Sequence, residues 1–184
     1  MGKQIEFYIE FEMFVSVAQK ALDCGCKIIK VDTVKGVVIE SDSVDVISSD
    51  YHGCWYYFNV PEAGEYRVDR TGNREQLDHG FSSSGNTLIE ASPTRIRSDG
   101  KKLTRGRLYC ISGYYDEEGQ WIERPECVNR IYNSLARYVK KIAPYTEVEH
   151  YAVNPMYSGR KVTSKEYISK ECLSLAENQD YILG

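Results

Sequence analysis

Four residues with the side chains of a zinc site lie in two tight pairs: Cys24 and Cys26 flank Gly25, and His52 and Cys54 flank Gly53. Zinc takes cysteine thiolates and histidine imidazoles in tetrahedral sets of four. A strand through this region would turn His52 and Cys54 to one face. The spacing argues against a metal, because Cys-x-Cys is shorter than the usual knuckle and His-x-Cys is no standard second half. Local structure accounts for the same residues. Gly25 falls where an amphipathic helix ends, the place of a left-handed C′ glycine, and Cys26 then folds back onto the last turn. Cys54 continues a strand face with Tyr56, Phe58 and Val60. Free thiols are among the most buried side chains, so packing is the reading adopted, with no cofactor expected and a zinc-stabilised module as the alternative.

The acidic residues offer a second chemistry. Glu90 shares a strand face with Leu88, and a carboxylate placed there needs a cationic partner, for which Arg105 or Arg107 on the next strand is suited. Glu147 and Glu149 alternate in a later strand. With Arg67 or Arg70 and the serines of 81–84 upstream, that order resembles one class of ADP-ribosyltransferases. Asp78, His79 and Ser82–Ser84 share one loop, but a nucleophilic triad requires convergence in space. No P-loop, Gly-x-Ser-x-Gly or dinucleotide fingerprint occurs. Either Glu90 or the pair Glu147 and Glu149, with an arginine cluster, defines an alternative: an enzyme acting on a nucleotide or nucleic acid.

The connector 95–107 carries Arg95, Arg97, Lys101, Lys102, Arg105 and Arg107 in a chain whose net charge is -4. Clustered arginines suit carboxylate or phosphate partners through bidentate contacts. The competing reading is a solvated hairpin with charges that guard a sheet edge. Tyr114 and Tyr115 follow closely, and the chain has 15 tyrosines, a residue favoured in recognition surfaces. Arg95, Arg97, Arg105, Arg107, Tyr114 and Tyr115 are therefore the candidate partner-binding residues. A mildly acidic total disfavours nucleic acid as the partner.

Positioning these residues requires an ordered scaffold, and 184 residues suffice for one domain with a real core. Residues 4–11 alternate Ile5, Phe7, Ile9 and Phe11 with polar positions and Tyr8, the period of a half-buried strand. Phe14, Val17, Ala18, Ala21 and Leu22 then recur at helical spacing over 12–24. Strands are expected at 27–32, 36–42, 54–60, 86–92, 106–116 and 146–153. Pro125 opens a helix to 143 whose apolar face is Val128, Ile131, Leu135, Val139 and Ile142. Thr163 and Glu166 have capping-box spacing, which predicts a third helix over 164–177. Residues 61–86, rich in glycine and serine, read as a long irregular segment of a single domain spanning 1–184. The expected fold class is α+β: a mainly antiparallel sheet with three helices packed on it.

The opening Met1–Tyr8, the stretch 87–96 and the stretch 105–115 resemble a group of small bacterial proteins that begin Met-Gly-x-Gln-Ile-x-Phe-Tyr. That resemblance implies a bacterial or phage-borne cytosolic protein and carries no site residues with it. The acidic, tyrosine-rich, strand-rich character is similar to that of immunity proteins paired with toxins. With no signal peptide and no run of apolar residues long enough to span a bilayer, the six cysteines are expected as thiols in the cytoplasm. The function expected is a non-catalytic module that binds a protein partner, such as a toxin it neutralises. Its oligomeric state cannot be read from the sequence.

Overall fold

Alternating apolar residues build the central sheet. In a computed structural model of the chain, which describes residues 2–49, 53–64, 87–97, 100–116, 118–151, 161–178 and 181–184, strand β1 (Lys3–Phe7) precedes helix α1 (Phe11–Asp23). Strands β2 (Lys27–Asp32), β3 (Val37–Ser41), β4 (Cys54–Asn59) and β5 (Leu88–Ser92) follow. Short strands β6 (Arg95–Arg97) and β7 (Lys102–Thr104) lead to β8 (Gly106–Cys110), β9 (Gly113–Tyr115) and β10 (Trp121–Glu123). Helix α2 (Glu126–Ile142), strands β11 (Tyr145–Tyr151) and β12 (Lys161–Tyr167), helix α3 (Lys170–Glu177) and β13 (Ile182–Leu183) complete the order. The fold is α+β, as the periodicities require.

The six-stranded sheet has the order β1-β8-β5-β4-β2-β3, and each neighbouring pair is antiparallel. Ile5, Phe7, Ile28, Tyr56, Phe58, Ile89 and Leu108 bury one face of it against α1 and α2, which contribute Phe14, Val17, Leu135 and Val139. Each such large side chain contributes about 1.5–3 kcal/mol on burial. Ile29, Val31, Tyr57 and Leu88 form a separate buried cluster. They alternate along their strands with Ile28, Tyr56, Phe58 and Ile89, so they lie on the other face. A third cluster joins Tyr8, Leu103, Val148, Ile168, Cys172 and Leu183.

The end of α1 is as expected. Gly25 has φ +91°, its N–H donates to the carbonyl of Leu22 (2.9 Å), and the N–H of Cys26 donates to that of Ala21 (3.0 Å). These are the two bonds of a Schellman motif, and Cys26 is buried as its C″ residue.

Three expectations need correction. The strand over 4–11 stops at Phe7, Phe11 opens the helix, and Tyr8 is wholly buried rather than outward. The chain is diverted where β12 passes into α3, which takes both backbone groups of Tyr8: its N–H donates to Tyr167 O (2.8 Å) and its carbonyl accepts from Ser169 N (2.9 Å). Buried Thr94 fixes the same corner by donating its hydroxyl to Phe7 O (3.2 Å) and accepting from Ile9 N–H (2.9 Å). Next, the strand over 106–116 divides into β8 and β9, and β9 pairs with β10. A Cβ on Gly113 would meet the Ile122 carbonyl and, at 2.7 Å, the Trp121 ring, so β10 closes onto a bare glycine.

The last correction concerns Thr163 and Glu166. They belong to strand β12, which pairs with β11 over its whole length, so no helix starts at 164. Helix α3 begins later and is capped by Ser169, which is wholly buried. Its hydroxyl accepts from Cys172 N–H (3.2 Å) and donates to Glu10 Oε2 (2.5 Å). Ser169→Ala removes both bonds and should cost about 1–2 kcal/mol in a urea denaturation, and a cost near zero would show that the cap contributes nothing. Of 61–86, Pro61–Ala63 form a 3-10 turn and 65–86 lie outside the described residues. Among the described residues no helix is long and apolar enough to cross a membrane.

Candidate functional site

The arginines of the connector fall into two groups. Strands β6 and β7 pair antiparallel as a hairpin, with β13 added parallel to β7. Arg95 and Arg97 are exposed on β6 and have no carboxylate partner among the described residues. Arg107 on β8 donates to Glu90 on β5 (2.5 Å) and lies 5.7 Å from the Tyr109 ring centre. Arg105 donates to both oxygens of Glu166 (2.6 and 3.3 Å), lies 5.4 Å from the Tyr8 ring centre and reaches Glu6 at 3.9 Å. The Glu166 bonds hold the guanidinium pKa above its usual value. Glu166, which the sequence suggests as a cap, is instead a buried anchor for Arg105. Tyr114 is half-buried, while Tyr115 is 69% exposed and makes an edge-on ring pair with Trp121 (5.0 Å). The six expected binding residues thus spread over β6, β8, β9 and the β7–β8 link rather than forming one patch.

The candidate catalytic carboxylates lie in two separate places. Glu90 sits inside the six-stranded sheet with Arg107, while Glu147 and Glu149 are exposed on β11. The latter two line a cavity of about 290 Å³ with His150, Lys161 and Glu177. Arg67, Arg70, Asp78, His79 and Ser82–Ser84 lie outside the described residues.

The zinc pairs are separated by the sheet itself. Cys54 stands opposite Asp32, at the far end of β2 from Cys26. At about 3.3 Å per residue, the two sulfur-bearing positions are roughly 20 Å apart along the strands, too far for one ion. His52 lies outside the described residues, and among those described no cluster of three or more metal-ligating side chains occurs.

A different feature gathers charge among the described residues. Strand β1 ends the six-stranded sheet, and just beyond the ends of β1 and β12 a parallel bridge joins Tyr8 to Ile168. Toward Lys3, β1 and β12 enclose an open groove of about 850 Å³, and α2 forms part of its wall. Lys3, Arg137, Lys140 and Lys165 line it, together with Tyr132, Tyr145 and Tyr167. Its two carboxylates, Glu6 and Glu166, are both engaged by Arg105. Counting Arg105, five cations therefore face two anions, in a chain whose net charge is -4.

Two of the groove's cations sit on its aromatic rings. Lys3 donates to Asn133 Oδ1 (2.9 Å) and sits 5.9 Å from the Tyr132 ring centre, while Lys140 sits 5.8 Å from that of Tyr167. Tyr145 and Tyr167 pack ring against ring at 4.8 Å. A concave surface of this kind concentrates positive potential and presents flat apolar area beside it, which is suited to an anionic partner. The sequence reading missed Lys3, Arg137, Lys140 and Lys165. Its only local signal is the spacing of Arg137 and Lys140, which puts both on one side of α2.

No protein-family model, curated protein or solved structure matches the chain.

Proposed function

We propose that this chain is a non-catalytic cytosolic module that binds a protein partner through the groove between β1, β12 and α2. The observation that carries the reading is the convergence of Lys3, Arg137, Lys140 and Lys165 with three tyrosines in one concavity. Such a surface recognises acidic side chains, with the charges guiding encounter and the rings supplying contact area. Arg107 is engaged by Glu90, and among the described residues no arginine lines the cavity of Glu147 and Glu149, which supports binding over catalysis. Neutralisation of a toxin, in the manner of an immunity protein, is the role we propose for that binding.

The groove and the β6–β7 hairpin make separable predictions. A partner captured by the wild-type chain should be lost with Arg137→Glu/Lys140→Glu and kept with Arg95→Glu/Arg97→Glu. Native mass spectrometry of the purified complexes reads this directly. The opposite pattern would move the site to the hairpin and overturn the groove reading.

A further inference from the structure

The backbone of the groove is as informative as its charges. Just past β1, Tyr8 donates its N–H to Tyr167 at the end of β12, and its carbonyl accepts from Ser169, the cap of α3. Backbone groups alternate sides along a strand, so those of Glu6 and Gln4 point the same way, out of the sheet and into the groove. The bonds of β1 to β8 then fall on Lys3, Ile5 and Phe7, which leaves the backbone groups of Glu6 and Gln4 on the open edge. The facing wall is equivalent: Tyr167 turns its carbonyl to Tyr8, so alternation turns the backbone groups of Lys165 into the groove as well.

The two walls meet at Tyr8 and Ile168 and then part, which leaves a slot edged by strand backbone on both sides. We infer that this slot receives an extended acidic segment of the partner protein as an added strand, joining the six-stranded sheet to the β11–β12 pair. The inference rests on the groove being the binding site.

The slot also specifies the segment's side chains. Lys3 is bonded to α2, and Lys140 lies on the ring of Tyr167, which alternates with Glu166 and so shares a face with Lys165. Lys3, Arg137, Lys140 and Lys165 therefore lie on the α2 side of the slot. A strand placed there turns every second residue toward α2, so the matching segment carries Asp or Glu at alternate positions. Edge strands often carry charges that block such pairing. Here the side chains of β1 are occupied: Gln4 donates to Glu6 (2.9 Å), Glu6 faces Arg105, and Lys3 is bound to Asn133. The backbone edge is left clear.

The test uses the full chain, a synthetic eight-residue peptide alternating Glu with Thr or Val, and amide exchange followed by NMR. The inference expects the amides of Gln4, Glu6 and Lys165 to slow on saturation. N-methylation of alternate peptide amides, which leaves charge intact, should weaken binding at least about tenfold. Overturning results are no binding at millimolar peptide, equal binding of the methylated peptide, or a single-stranded oligonucleotide of equal charge binding as well. Peptide binding that depends on Arg137 and Lys140 without slowing of these amides would remove the added strand and leave the groove as the site. Partner capture indifferent to those cations would remove both.

Discussion

Arg105→Ala should destabilise the fold by about 2–3 kcal/mol, measured as the shift in a urea transition. Glu166 is 8% exposed and is held there by two hydrogen bonds from Arg105. Without the guanidinium this largely buried carboxylate, within electrostatic reach of Tyr8, loses both of its hydrogen-bond donors. The side chain of Arg105 is 38% exposed, which keeps the cost below that of a fully buried pair. Arg105→Lys should restore little, because an ammonium cannot reproduce the two-pronged contact. Arg105→Met combined with Glu166→Leu should return within about 1 kcal/mol of the wild type, since a matched apolar pair leaves no buried charge behind. An Arg105→Ala variant as stable as the wild type would show that this clasp does not hold β12 against β1.

The second large effect is a loss of stability in alkali. Burial pushes the Cys26 thiol from 9.0 to about 12 and the Cys172 thiol from 9.0 to about 11. Burial likewise raises the Tyr8 phenol from 10.0 to about 12, and it raises Cys110 and Tyr132. In each case the folded chain keeps a proton that the unfolded chain releases. The contribution is therefore intact below pH 9 and is lost as pH rises from 9 toward 12. Cys26 and Cys172 alone should cost roughly 3–4 kcal/mol between pH 8 and 10.5. Urea midpoints at those two pH values check this, and Cys26→Ala should make the fall shallower. A midpoint unchanged to pH 10.5 would contradict the burial of these thiols in the folded state.

The readable parts of this fold are those fixed by neighbours in the chain. The glycine between Cys24 and Cys26 carries its own conformational requirement, so the end of α1 is legible from three residues. The pairing of Glu90 with Arg107 follows from strand alternation and the cost of a lone carboxylate. Capping-box spacing at Thr163 misleads because the pattern is weak beside a seven-residue pairing with β11, and Ser169 is a better cap six residues on. Tyr8 misleads for a related reason: a tyrosine at an outward position is buried when a second sheet arrives from more than 150 residues away, at Tyr167 and Ile168. The groove was illegible for the same cause. Lys3, Arg137, Lys140 and Lys165 come from an edge strand, a helix and a distant hairpin, and no local pattern ties them together.

The most direct measurement is calorimetric titration of the purified partner into the wild-type chain and into Lys3→Gln/Arg137→Gln/Lys140→Gln/Lys165→Gln. Circular dichroism should show the same fold in both, since these side chains lie at the surface of the groove. The groove reading predicts an affinity loss of at least about a hundredfold, with a weaker salt dependence in the variant. Equal affinity in the two proteins would contradict it.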